Sequence, residues 1–249
     1  MSIADDHARA QAALAAAALE VDPGRSNIIL CVGTKGSGKS EAARQILDAW
    51  PHDRVVIDIT GDARPDDPET LVAVAPFPAS MPPRVDERGR PIPGRVTVWA
   101  RIDPRSATLE LDHEQALAMG LYPQRRPALV MVDEYGMMAT ANKIGPNVSL
   151  ALMSSRHYHL TLLLCCPRPR RIPTLTIEQA DKVLIFDTPN ADDREVLAKN
   201  MGYPVRLFEE HYAETMRRER HSFLLFDKRQ RVLVSCPPLP IATHHGPRS

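Results

Sequence analysis

The sequence predicts an α/β fold organised around a mostly parallel sheet. Three observations carry that prediction: short continuous apolar runs recur, helix-like segments separate them, and a glycine-rich turn joins the first run to the first helix. The runs cover residues 28–32, 55–59, 128–134, 160–166 and 182–186, with an alternating strand at 95–102. Helical patterns span 40–50, 112–119, 146–156, 191–201 and 206–219. "SFLLF" and "RVLVSC" flank "DKRQ" and predict a C-terminal β-hairpin over 222–236. Residues 3–20, rich in Ala and Leu, read as an N-terminal helix within 1–24, closed by Asp22-Pro23-Gly24. The next 25–240 form one domain, and 241–249 a flexible tail. Prolines crowd residues 61–93, which predicts a surface insertion there with a short helix at 68–74.

The 249 residues suffice for one large core. The formal net charge is zero, which excludes a strongly basic body. Contact with nucleic acid must then come from local patches or from repeated copies of the chain. No apolar run approaches the roughly 20 residues that span a bilayer. The Ala-rich start follows Asp5 and Asp6 and lacks the basic leader of a secretory signal. Cys31, Cys165, Cys166 and Cys236 show no zinc spacing and read as small buried residues in a reducing compartment. A cytoplasmic protein is expected.

Between the first strand and helix stands Gly33-Thr34-Lys35-Gly36-Ser37-Gly38-Lys39-Ser40, a G-x-x-x-x-G-K-[ST] pattern in its required strand-loop-helix context. Glycines let backbone N–H groups turn toward phosphates, and the helix N-terminus adds its positive dipole. Lys39 is expected at the β- and γ-phosphates of ATP, with the Ser40 hydroxyl on Mg²⁺. Glu41 completes the nucleotide-binding stretch. Lys35 is either an added charge near the γ-phosphate or a solvated lysine at the loop tip.

"ALVMVDE" ends in Asp133-Glu134. A buried parallel strand that closes on an acid delivers it beside the phosphate loop. Asp133 is expected to hold Mg²⁺ and Glu134 to polarise an attacking water. That carboxylate favours hydrolysis over transfer to a small acceptor. The strands at 55–59 and 95–102 leave room for the additional strand of P-loop ATPases that carry a catalytic glutamate.

Residues 154–186, "SSRHYHLTLLLCCPRPRRIPTLTIEQADKVLIF", resemble the FtsK/HerA superfamily of DNA-pumping ATPases. Arg156 precedes the strand at 160–166, and Arg168-Pro169, Ile172-Pro173 and Ala180-Asp181 follow in the superfamily's order. With both nucleotide motifs the resemblance covers about residues 27–190 and is strongest to the compact genome-packaging ATPases of membrane-containing double-stranded DNA viruses. It implies a P-loop fold of the additional-strand type and a homo-oligomeric ring, a hexamer or pentamer. It also implies ATP hydrolysis coupled to translocation of double-stranded DNA, and Arg156 as an arginine finger reaching a neighbour's site. The other reading of Arg156 is a helix-end residue paired with a carboxylate. Capsid-vertex or membrane-protein partners and a place in the host cytoplasm or at a packaging vertex follow from the same resemblance. One departure is Pro167, which stands where the superfamily has a γ-phosphate-sensing Gln; Asn142, Asn147 or Arg168 are the substitutes within reach in sequence.

DNA contacts are expected from Arg168, Arg170 and Arg171, then from Lys143. A small-molecule kinase of the P-loop class is the alternative from the residues alone. A slow nucleotide-dependent assembly switch is another, favoured by Pro167.

Overall fold

The computed structural model describes residues 19–61, 63, 65, 69–83, 85–90, 94–121 and 127–239. The expected helix at 3–20 lies almost wholly outside them, as does the tail at 241–249. The described strands are β1 (Ile28–Val32), β2 (Asp53–Asp58), β3 (Leu71–Val74), β4 (Thr97–Arg101), β5 (Ala128–Val132), β6 (Leu160–Cys166), β7 (Lys182–Ile185), β8 (Phe223–Asp227) and β9 (Val232–Cys236). They form a single nine-stranded sheet in the order β3-β4-β2-β5-β6-β1-β7-β8-β9. Every neighbouring pair from β3 to β7 is parallel, and β8 and β9 add an antiparallel hairpin.

The apolar runs are continuous because both sheet faces are covered. β1, β5 and β6 are buried at every position. On one face lies α1 (Lys39–Ala49), whose Ala42, Ala43, Ile46 and Leu47 pack on Ile29, Cys31, Leu163 and Cys165. The opposite face buries Ile28, Leu30 and Val32 with side chains from α2 (Leu109–Leu121), α4 (Pro146–Ser154), α6 (Ala191–Met201) and α7 (Val205–Arg218). Two short helices, α3 (Tyr135–Met138) and α5 (Thr174–Gln179), complete the set and are joined by the Tyr135 and Thr176 hydroxyls 2.9 Å apart. All four cysteines are buried and free. No helix among the described residues is long and apolar enough to cross a membrane.

Four expectations are corrected. The helix at 68–74 is not formed: residues 71–74 are strand β3, paired with β4 in the register Leu71↔Val98 to Val74↔Arg101. Local pattern could not reveal this, since Leu71, Val72 and Val74 are exposed at the sheet edge and carry no burial signature. The strand "ALVMVDE" stops at Val132, because Glu134 turns left-handed at φ 51° and starts α3. Helix α4 ends at Ser154, so Arg156 stands in the turn before β6. The strand that separates β1 from β5 is β6, which follows both in sequence, rather than the strands at 55–59 and 95–102.

The seating of α2 depends on a close approach. A Cβ at Gly120 would stand 2.5 Å from Val130 Cγ2 on β5. Gly120→Ala is therefore expected to cost about 1–3 kcal/mol, seen as a lower urea midpoint at unchanged slope. An unchanged midpoint would mean that α2 shifts off the sheet without penalty.

Candidate functional site

Residues 33–38 leave the C-terminal end of β1 and run into α1. Gly33 N–H donates to Cys166 O on β6 at 3.2 Å, and Thr34 N–H to Asp187 O beyond β7 at 2.8 Å. Both neighbouring strands therefore anchor the loop. Gly33 sits at φ 149°, and a Cβ there would fall 2.7 Å from both Phe186 Cβ and Ser37 Oγ, so only glycine fits. Gly38 caps α1 in the left-handed region at φ 108°, and the first bond of the helix runs from Ala42 N–H to Gly38 O. The amides of the first helical turn thus precede the ladder, as an anion site requires. Ser37 Oγ is buried without a hydrogen-bond partner among the described residues, an orphan that phosphate oxygens would satisfy. Lys39 is buried and Ser40 exposed at the helix start, while Glu41 accepts from Gln45 Nε2 at 2.9 Å.

The acids expected from sequence are beside this loop. Asp133 directly follows β5 and is buried. Burial raises its carboxyl above the ordinary range. The hydrogen bond from Thr60 opposes that rise, the Asp58 charge adds to it, and Lys39 draws it back. Glu134 is half-buried, and its carboxyl is raised by burial and by Asp133, against Lys39 and Lys35. The exposed Lys35 is thus close enough for its charge to act on Glu134. Glu134 also holds a left-handed backbone that a non-glycine residue adopts at a cost of about 1 kcal/mol or more. Ser40 and Asp133 line one small cavity of about 60 Å³. A hydroxyl, a carboxylate and room for water are the hard oxygen donors that suit Mg²⁺. These residues fit the ion.

Two contributors were missed from sequence. Asp58, at the end of β2, accepts from Thr60 N–H, Gly61 N–H, Ala63 N–H and Trp99 Nε1 at 2.8–3.1 Å. Thr60 in turn donates from its hydroxyl to Asp133 Oδ2 at 3.1 Å, which fixes that carboxylate in the site. The available signal was a second buried strand, "VVID", closing on an acid as β5 does.

The remaining candidates lie apart. Arg156 is exposed before central strand β6, at the end of the parallel strands opposite the phosphate loop, and its guanidinium pairs with no carboxylate among the described residues. Arg168 Nε binds Asp193 Oδ2 at 2.8 Å, and Arg170 binds Asp192 at 2.6 Å. Arg171 is exposed, and its carbonyl accepts from Ala141 N–H at 2.8 Å, which joins the turn at Pro169–Arg171 to the loop carrying Lys143. Lys143 is ion-paired with Glu110 across an exposed surface. As for the substitutes for Pro167, Asn147 is committed to Glu114, Arg168 to Asp193, and Asn142 is exposed.

The raised carboxyls have a stability consequence. A carboxyl with a raised folded-state pKa holds its proton more tightly when native. The penalty is absent below the ordinary carboxylate range and is complete once pH has risen through the folded value. Glu134→Gln is expected to raise the Tm of the protein free of nucleotide and metal at pH 7.5 by roughly 1–3 °C, allowing for solvent screening at this half-exposed group. The gain should vanish as pH falls to about 4. A gain that persists there would place its origin outside the charge.

No family model and no curated protein sequence matches the chain. Among solved structures it is similar to the genome-packaging NTPase B204 from Sulfolobus turreted icosahedral virus 2 in complex with AMP. The identity is 18% and the TM-score 0.63, over 88% of this chain and 100% of that one. The same NTPase in complex with AMPPCP gives 0.62 at the same identity and coverage. B204, the DNA-packaging ATPase from Sulfolobus turreted icosahedral virus, gives 0.53 at 17% identity, over 86% and 98% of the two chains. The chain has the P-loop fold of these packaging NTPases, in agreement with the resemblance read from residues 27–190.

Proposed function

We propose that the chain is an ATP-hydrolysing motor that translocates double-stranded DNA and serves viral genome packaging as a homo-oligomeric ring. One observation carries the reading: the glycine loop with Lys39 and the acids Asp133 and Glu134 converge at one end of the sheet, near enough that the lysine charges act on both carboxyls. The loop amides and Lys39 bind and orient the phosphates. Ser40 and Asp133, the latter steadied by Thr60, would hold Mg²⁺, which supplies charge neutralisation at the phosphate oxygens when bound. Glu134 orients the attacking water and takes its proton, and its raised pKa makes it a better proton acceptor than an ordinary carboxylate.

Arg156 completes a neighbouring subunit's site. Its exposed guanidinium, without a carboxylate partner among the described residues, suits a role between subunits and disfavours the reading as a locally paired helix-end residue. For DNA, Arg171 and Lys143 are the cations best able to meet phosphates. An exposed pair such as Lys143 with Glu110 is worth little and opens readily, whereas Arg168 is braced by a buried partner, Asp193. Host cytoplasm or a packaging vertex, with capsid or membrane-protein partners, is the setting this function implies. A slow nucleotide-dependent switch is the second reading, favoured by Pro167, which brings no donor to the end of β6.

Purified protein is expected to hydrolyse ATP faster with linear double-stranded DNA, and the stimulation should fade across a rising salt series. Turnover indifferent to DNA at every salt would favour the switch. Lys39→Ala should lower turnover by about 100-fold or more; normal turnover would remove the ATPase reading. Arg156→Ala should lower it by roughly 1,000-fold in assembled rings while nucleotide still binds. Full activity of that variant, or of isolated monomers, would sink the finger.

A further inference from the structure

The C-terminal ends of β2, β3 and β4 surround a cleft of about 600 Å³, on the far side of β5 from the phosphate loop. Buried Asp58 and Asp112 line its inside, and exposed Val74, Arg101 and Asp103 its rim. At the opposite end of the strands, the turn from α4 into β6 carries the exposed Met153 and Arg156. Resting on the ring and finger reading above, we propose that this cleft receives the turn at residues 153–159 of a second copy of the chain.

The two surfaces match in apolar character. Among the described residues, Met153 at 70% and Val74 at 62% are the most exposed of the large apolar side chains, and one stands on each surface. Ala75, Ile102 and Pro104 extend the apolar wall beside Val74. They also match in charge. The cleft has three aspartates against a single arginine, Arg101, whose guanidinium lies over the Trp99 ring at 5.1 Å. The turn brings Arg156 without a carboxylate partner, and the sequence holds no Asp or Glu anywhere between Tyr135 and Ile177.

The turn is also rigid enough to act as a knob. His157 N–H donates to Ser154 O at 2.9 Å, and Ser155 O accepts from Leu160 N–H at 2.9 Å and from Ser26 Oγ at 3.1 Å. His159 holds a left-handed backbone at φ 49°, and its carbonyl accepts from Ala128 N–H at 3.1 Å. Little conformational freedom is left to lose on docking. Because the two surfaces differ and lie at opposite ends of the same strands, their contact is head to tail, the kind that generates a ring when the rotation closes. Seated there, the turn brings Arg156 to the side of the neighbour's site where Thr60 holds Asp133.

Cross-linking tests the contact. All four native cysteines are buried, so Val74→Cys and Met153→Cys offer the reactive thiols. The length of the strands, roughly 15 Å, separates the two positions, so a short bismaleimide cannot join them within one chain. With Mg-AMPPNP and linear duplex DNA, the double variant should give a covalent ladder up to the full ring, and each single variant only monomer. A ring seen by light scattering but no ladder overturns the proposal, as does a dimer from either single variant, which would mean that like surfaces meet. Met153→Glu should raise the concentration of half-assembly about tenfold; an unchanged value also overturns the proposal. Wild-type protein that forms no ring would instead overturn the ring reading on which it rests.

Discussion

The clamp on the C-terminal end of β1 is the constraint from which the site hangs. Phe186 N–H donates to Val32 O, Gly33 N–H to Cys166 O and Thr34 N–H to Asp187 O, so the loop is tied to β6 and β7 before it turns. The clamp exists because β1 is central, and β1 is central because its five residues are apolar and need cover on both faces. Burial of each such side chain contributes about 1.5–3 kcal/mol. A loop fixed by that much buried surface can hold its amides in position without a ligand, which is the preorganisation that phosphate binding demands.

What could be read from the sequence follows from range. The strand, glycine loop and helix around residues 28–49 are one contiguous unit whose rules are local, and structure and expectation agree there almost residue for residue. Asp133 was likewise announced by the strand that carries it. β3 was not, because an exposed edge strand has no periodic apolar signature and its pairing with β4 is a tertiary fact. The same holds for the arginine cluster. "RPRR" reads as cationic, but Asp192 and Asp193 at the start of α6 neutralise two of its members from more than twenty residues away. Thr60 was invisible for the same reason, since its partner Asp133 follows a strand that only the sheet order brings alongside.

The electrostatic balance around Asp133 explains why the neighbouring strand ends in an acid as well. Asp58 is held by four N–H donors, so its charge is satisfied internally and needs no metal. It organises the turn that presents Thr60, and Thr60 orients Asp133. Asp133 and Glu134 are compensated less fully, by Thr60 and the nearby lysines, and burial raises both. Two carboxyls that are costly to ionise in the free protein are stabilised when a cation arrives, so binding affinity and conformational stability are linked through the same groups.

The sheet order also divides labour between the two sides of α1. Toward β5 lie the acids and a space that admits little more than water. Toward β7 and β8 lies a roomier, more apolar space closed by the C-terminal hairpin and the segment after it.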